Sequence, residues 1–272
     1  MAKRDTASPG IEVRRKSRWG WMGPIGLLLA VGAPLVALLM ALATGAGMID
    51  YTVSLGSLRY LVIACAIGLV LVLIVAIIAL VKKRWRAFRW LVPAFVIGGG
   101  FIGYLLMQLS IATSVPPIHD VTTDLENPPE FVALTLRDDN LDVVPPGEDP
   151  RMEAMTPVGR WALYHSEAYG DLDTIVVPTN VPDTVSAAQT LIAERGWELA
   201  EADAASGRVE ATDTVSLYGF KDDIVLRIVP NADGPGSLVD MRSVSRVGVS
   251  DLGVNAERVR EFLADLSEAT GG

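Results

Sequence analysis

The sequence predicts an α+β domain, an antiparallel sheet with helices on one face, preceded by three transmembrane α-helices. Three observations predict it. Residues 24–49, 60–81 and 91–110 carry no Asp, Glu, Lys or Arg. The composition breaks after residue 110 into a stretch rich in proline and acid. Beyond residue 160, short alternating segments are parted by turn residues and flanked by two amphipathic helical patterns.

The apolar runs come first. A chain of 272 residues that is 50% hydrophobic, with a mean hydropathy of +0.37, is too apolar for an ordinary soluble protein. About 20 helical residues cross the roughly 30 Å of bilayer hydrocarbon, which places spans at about 24–43, 60–81 and 91–110. A run such as "LVIACAIGLVLVLIVAIIALV" is apolar all round, so it has no face to turn to water. Lys and Arg number 6 before Pro24, 1 between the first two spans (Arg59), 5 in "KKRWRAFRW" and 11 beyond Ser110. Basic residues collect on the cytoplasmic side, so residues 1–23 are expected as a cytoplasmic tail. Residues 111–272 are then expected in the periplasm of a bacterium whose inner membrane holds the spans. Trp19, Trp21, Trp85 and Trp90 flank the expected cytoplasmic ends, and Tyr60 an outer end. "VRRKSRWGW", the apolar run after it and "ALA" at 41–43 also satisfy the pattern of a cleavable signal peptide, although the run is longer than a usual signal core. Gly99-x-x-x-Gly103 in the third span is a small-residue pattern that lets helices approach. It serves either packing among the three spans or oligomerisation through the third.

Residues 111–160 read as an extended arm, with "PP" at 116, 128 and 145. Residues 161–272 read as the α+β domain. "YHSEAYGDLDTIVV" leads from a helix into a strand. "VPDTVSAAQTLIAERG" is a helix with start signals Pro182 and Asp183 and a stop at Gly196. Four strand candidates follow, in "WELAEA", "GRVEATDTVSLYGF", "DIVLRIVP" and "SLVDMRSVSRV". A last helix has Asn255 as its expected N-cap and Val259, Phe262, Leu263 and Leu266 as its apolar stripe. The single cysteine, Cys65, falls in the second span, so a disulfide within residues 111–272 is excluded, as are thiolate zinc sites and cysteine nucleophiles there. Those residues hold 29 Asp and Glu against 11 Lys and Arg. Such a field repels nucleic acid and anionic lipid headgroups at long range and favours a basic partner or a cation; plain solubility beside a membrane is the simpler account.

The segments "PPIHDVTTDLENPPEF", "AYGDLDTI", "EATDTVSLYGFKDDIVLRI" and "VDMRSVSRVGVSDLGVNAERVREFL" resemble the bacterial and plastid family known as domain of unknown function 1499. The resemblance runs through most of residues 114–266 and leaves the spans outside it. It implies a shared fold or site and supplies no catalytic residue, because the family is named for having no established activity.

Several clusters are candidates for chemistry. His119, Asp120 and Asp124, with Glu126 beside them, are ligand types for a divalent metal, the one cofactor the sequence suggests. Turn-capping carboxylates between prolines explain the same residues. Asp138, Asn140, Asp142 and Asp149 take calcium-loop spacing, but Val143 stands where glycine is needed. His165 and Glu167 lack the cysteine partners of a zinc deaminase, and "GVSDLG" at 248–253 misses the serine-hydrolase spacing by one residue. Alternation in the strands puts Arg208, Glu210, Thr212, Thr214 and Ser216 on one face, which Arg227, Asp240, Arg242 and Arg246 can share. Glu210, Thr212, Arg227, Asp240, Arg242 and Arg246 are therefore the candidate ligand-binding row for a polar or anionic headgroup; cross-strand pairing on a solvated face is the duller account. The sequence leads to a membrane-anchored, non-enzymatic domain whose partners are the lipid bilayer and an envelope component or partner protein. The alternative is a metal-assisted hydrolase of an envelope substrate using His119, Asp120 and Asp124 with Asp213, Asp222 or Asp223.

Overall fold

The computed structural model describes residues 20–147 and 149–272. The basic tail with Arg14, Arg15 and Trp19 therefore lies outside the described residues up to position 19. The helices are α1 (Met22–Gly45), α2 (Tyr51–Val81), α3 (Phe88–Ser114), α4 (Pro150–Glu153), α5 (Pro157–Tyr169), α6 (Val181–Glu194) and α7 (Val254–Thr270). The strands are β1 (Asp120–Thr122), β2 (Ile175–Val177), β3 (Glu198–Asp203), β4 (Arg208–Thr214), β5 (Lys221–Pro230) and β6 (Ser237–Ser245). The chain divides into two compact units, one holding the chain up to Leu39 with Thr52–Tyr104, the other Met40–Tyr51 with Leu105–Gly272.

The first unit is built from helices long and apolar enough to cross a membrane. Two boundaries differ from expectation. The second helix begins at Tyr51 and takes in Arg59, because "YTVSLGSLR" contains no proline and its one glycine, Gly56, costs only about 1 kcal/mol in a helix; Arg59 reaches Tyr60, donating from Nη2 to its hydroxyl at 2.6 Å. A long cationic stem on a helix can run to the polar layer in this way. The third helix continues to Ser114. Gly99 and Gly103 do not join the three helices, since a Cβ on either would meet nothing within 4 Å. The close approach lies elsewhere. A Cβ on Gly98 would come within 2.9 Å of the Ala30 carbonyl oxygen and 3.2 Å of Cys65 Sγ, and Gly68 packs against Ala30 and Leu29. Cys65 Sγ, fully buried, spans this seam, 3.7 Å from the Ala30 oxygen and 3.6 Å from that of Gly98.

The second unit is the α+β domain. Its antiparallel sheet runs β1-β6-β5-β4-β3, with β2 pairing β6 beyond the end of β1. One face carries Val209, Ala211, Ile224, Leu226, Ile228, Val239 and Met241, all buried under the apolar sides of α6 and α7. Phe262 of α7 is wholly buried there, and burying such a ring is worth about 1.5–3 kcal/mol over leaving it in water. Local signals set the helix starts: Asn180 Oδ1 accepts from Asp183 N at 3.0 Å for α6, and Thr156 Oγ1 from Gly159 N at 3.2 Å for α5. The cap expected at Asn255 is displaced. The N-cap of α7 is Gly253, at φ +83°, and Asp251 accepts from Gly253 N (2.9 Å) and Asn255 N (2.8 Å). Asn255 is instead buried in the first turn, bonded across to the sheet.

The segment expected as a loose arm is part of this unit. Ile118, Val121 and Val144 are buried in its core, and β1 lies within it. The open edge of β1 is closed by α5: Trp161 Nε1 donates to the Asp120 carbonyl at 2.8 Å, and Thr122 N donates to His165 Nε2 at 3.1 Å. An edge so covered offers no template for a further strand.

Candidate functional site

Sheet register brings the predicted polar row together on the face opposite α6 and α7. Arg227 stands across from Asp240, Val225 lies between Glu210 and Arg242, and Thr212 faces Asp223. Apart from Arg246 this row is covered, because residues 123–140 lie across it and supply partners to it. Glu210, wholly buried, accepts from three successive backbone N–H groups, Val132 (2.7 Å), Ala133 (3.0 Å) and Leu134 (2.7 Å), and pairs with Arg208 at 3.1 Å. Arg227 bridges Asp124 and Asp240, both at 2.7 Å, and donates to the Asn127 carbonyl at 2.7 Å. Arg242 grips Asp120 with Nε (2.9 Å) and Nη2 (2.6 Å) while Nη1 reaches the Pro129 carbonyl. Asp240 also accepts from the hydroxyls of Thr123 (3.0 Å) and Thr174 (2.6 Å). Burial pushes the Asp124 carboxyl up, but the Asn127 N–H and the Arg227 guanidinium outweigh it and hold that carboxyl below the ordinary range. Thr212 donates to Asp223 at 2.7 Å, and Asp223 is gripped by Arg246 through Nε and Nη2, each at 2.8 Å. Of the six candidate residues Arg246 alone keeps a substantially open side chain, 42% exposed.

The metal reading meets the same geometry. His119 is buried, with Nδ1 3.3 Å from the Val249 carbonyl oxygen and Nε2 3.3 Å from Asn140 Oδ1. Asp120 is committed to Arg242 and Asn140, and Asp124 to Arg227 and the turn at Glu126 and Asn127. His119 and Asp120 meet only through Asn140, and Asp124 is held apart from them by Arg227. Asn140 likewise turns inward, away from the calcium-type spacing, and Asp149 caps α4 and pairs with Arg151. Among the described residues no group of three or more His, Cys, Asp or Glu is placed to hold a metal ion. Ser250 donates to the Pro116 carbonyl and accepts from Leu252 N, structural contacts at the turn before α7. His165 Nε2 is taken by the Thr122 N–H, so the neutral ring carries its proton on Nδ1; that atom, like Tyr169 Oη, is buried with no hydrogen-bond partner among the described residues. Burial lowers the His165 pKa and lifts the Tyr169 phenol to about 12.

A second polar cluster lies on the helix side. Asp213 and Asp222 stand directly opposite on β4 and β5, an arrangement that repels unless a cation intervenes. Arg258 of α7 is that cation: Nη2 reaches Asp213 at 2.9 Å and Asp222 at 2.7 Å, while Nη1 donates to Ser243 Oγ at 3.1 Å and to Asn255 Oδ1. Asn255 Nδ2 continues the network to the His119 carbonyl and Ser245 Oγ. Beside this network opens a cleft of about 400 Å³ lined by Arg195, Trp197, Asp213, Glu257, Arg258 and Glu261. Trp197 stacks on Phe262 with ring centroids 5.4 Å apart. Both cations on the wall have carboxylate partners, Arg195 in Asp265 and Arg258 in Asp213 and Asp222. Glu257 and Glu261 lie one turn apart on α7 at the rim. Sequence reasoning missed Trp197, Glu257, Arg258 and Glu261 as a site. The signal available was Arg258 itself, a charged residue set between Asn255 and Phe262 in the spacing of the buried stripe.

The model of a protein family of unknown function, DUF1499, matches residues 120–266, from β1 to the penultimate turns of α7 and more than half of the chain. No curated protein matches the chain.

Proposed function

The chain belongs to the DUF1499 family over residues 120–266, and on that premise we propose that it is a membrane-anchored, non-enzymatic binding protein whose acidic domain receives a cationic group in the Trp197 cleft. The cationic group belongs to an envelope component or a partner protein, in chemistry a lysyl or arginyl side chain or another ammonium. One observation carries the reading. The cleft presents Glu257 and Glu261 beside an indole, and the two arginines in its wall are already balanced by Asp265, Asp213 and Asp222. Carboxylates at the rim suit a cation, which gains their Coulomb attraction, while the indole, already overlain by Arg195, supplies an apolar wall. The excess of acid in residues 111–272 draws a basic partner toward the same surface.

In this reading the N-terminus is cytoplasmic and the domain lies on the periplasmic side of a bacterial inner membrane, supported by the concentration of Lys and Arg before Pro24 and in "KKRWRAFRW". Glu210, Arg227, Asp240 and Arg242, in this reading, fasten the covering segment to the sheet. The test of the cleft uses the full chain in detergent and a labelled oligolysine peptide. Wild type is expected to bind it with an affinity that falls steeply with salt, and Glu257→Gln with Glu261→Gln, or Trp197→Leu, to weaken it several-fold. Equal binding by wild type and these variants would refute the cleft as the site. Orientation is tested separately: protease added to spheroplasts is expected to cut within residues 111–272 and spare "KKRWRAFRW".

A further inference from the structure

The turn between β4 and β5 forms a second cleft, independent of the first. Its residues and those of Met40–Tyr51 belong to the same compact unit. The turn is shaped for contact: Leu217 takes φ +78° and Gly219 φ +68°. A Cβ on Gly219 would lie 3.0 Å from Gly45 Cα, and one on Gly45 would lie 2.5 Å from the Leu217 carbonyl oxygen, so glycine is needed on both sides of this approach. Around it gather three aromatic rings. Tyr218 stacks on Phe220 at 5.3 Å, and Tyr51 meets Phe220 edge-on at 5.8 Å.

The position of this cluster relative to a membrane follows from chain counting. Gly45 and Tyr51 bound the link between two membrane-length helices, so that link lies at a membrane surface. From Tyr51 the chain crosses through α2 and returns through α3, so Ser114 emerges on the same side as the link, whichever side that is. The β4–β5 turn, held against Gly45, therefore sits at the depth of the headgroups, where tyrosine and other aromatic rings with polar edges concentrate. Leu217, 44% exposed, is the apolar tip.

Two cations face this layer. Lys221 and Arg246 line a cleft of about 280 Å³ with Tyr51, Tyr218 and Phe220. They are neighbours by construction, since Arg246 N donates to the Lys221 carbonyl at 3.0 Å. Lys221 is 42% exposed, and its partner Glu198 lies 3.7 Å away at the surface. Arg246 spends Nε and Nη2 on Asp223 and Thr212, and its side chain stays 42% exposed. Asp50 also stands on the rim. A phosphodiester carries one negative charge and takes guanidinium and ammonium donors together.

We infer that Lys221 and Arg246, framed by Tyr51, Tyr218 and Phe220, form a binding site for the phosphate of a phospholipid headgroup. The site would hold this end of an acidic domain down on a membrane surface that its net charge otherwise opposes. The full chain purified in detergent, titrated with dioleoyl-phosphatidylglycerol and read by native mass spectrometry, tests it. Wild type should hold one lipid more than Lys221→Gln or Arg246→Gln, with affinity for that lipid roughly tenfold weaker in each variant. Excess inorganic phosphate should fail to displace it, because a free ion lacks the acyl chains that anchor the lipid beside the turn. Because Arg246→Gln leaves Asp223 buried without its cation, Lys221→Gln, which touches only a surface pair, decides the matter if the arginine variant loses its fold. Lipid binding equal to wild type in Lys221→Gln would overturn the assignment. So would displacement by phosphate alone, which would make the site one for the free anion.

Discussion

Arg242 and Arg246 leave the same strand end four residues apart, on the same face of the sheet, and meet opposite environments. Arg242 is 8% exposed and closed in by Asp120, Asn140 and the Pro129 carbonyl. Arg246 holds Asp223 and keeps the rest of its guanidinium in an open cleft. The difference is made by residues 123–140, which cross the sheet over Arg227, Glu210 and Arg242 and leave Arg246 uncovered. Identical alternation in sequence can therefore produce a sealed ion pair at one position and a half-open one at the next.

The largest expected effect lies at the sealed position. Replacing Arg242 by Gln leaves Asp120 buried without its cation, and breaking a buried pair from one side costs about 3–5 kcal/mol; chemical unfolding of the full chain, followed by a domain-sensitive signal, checks it. If the variant loses less than about 1 kcal/mol, the Arg242–Asp120 pair behaves as an exposed one and the contrast fails. Glu210→Gln comes next. The amide retains one carbonyl oxygen for three N–H donors, and a loss of about 1–3 kcal/mol is expected in the same measurement, with no change in oligolysine binding.

His165 supplies a test by pH. Its folded pKa is lowered because burial disfavours the imidazolium, and its Nε2 must stay unprotonated to accept from Thr122. The unfolded ring, with an ordinary pKa near 6.5, binds its proton first as the pH falls. Stability from this group is therefore full above about pH 6.5 and is lost as the pH drops toward the lowered folded value, by at most about 1.4 kcal/mol per pH unit. NMR of the ring is expected to show the neutral Nδ1–H tautomer at pH 6.5; an imidazolium there would contradict the edge closure of β1. The smallest effect belongs to the surface. Arg260 pairs with Asp171 at 2.6 Å across exposed side chains, and Arg260→Gln should change stability by no more than about 1 kcal/mol.

Much of this architecture was legible in the sequence for reasons that are local. Uncharged runs of span length, the Pro182 and Asp183 start of α6, the turn residues between strands and the Val259, Phe262, Leu266 stripe each report on their own few residues. What was illegible depended on distant ones. Period-two alternation places Glu210 and Thr212 on one face but says nothing about what covers it, and the cover comes from 77 residues earlier in Ala133. The strand β1 is three residues long, too short for a pattern, and exists because β6 and α5 flank it. Asp213 and Asp222 look like two separate acids until register sets them opposite each other, and only then does Arg258 in the apolar stripe of α7 make sense. Asn255 resembles a cap by residue type, but Asp251 reached the free N–H groups first and Asn255 was drawn into the sheet network.

Hydrogen exchange at the amides of Val132, Ala133 and Leu134 tests the sealing of the polar face most directly. These amides lie in no helix or strand, and only the Glu210 carboxylate shields them by hydrogen bonding. In wild type they are expected to exchange slowly, and in Glu210→Gln much faster, while the amides paired between β5 and β6 keep their protection. Rapid exchange of all three in the wild-type chain would show that residues 123–140 stand off the sheet, and that Arg227, Arg242 and Glu210 are open to a ligand after all.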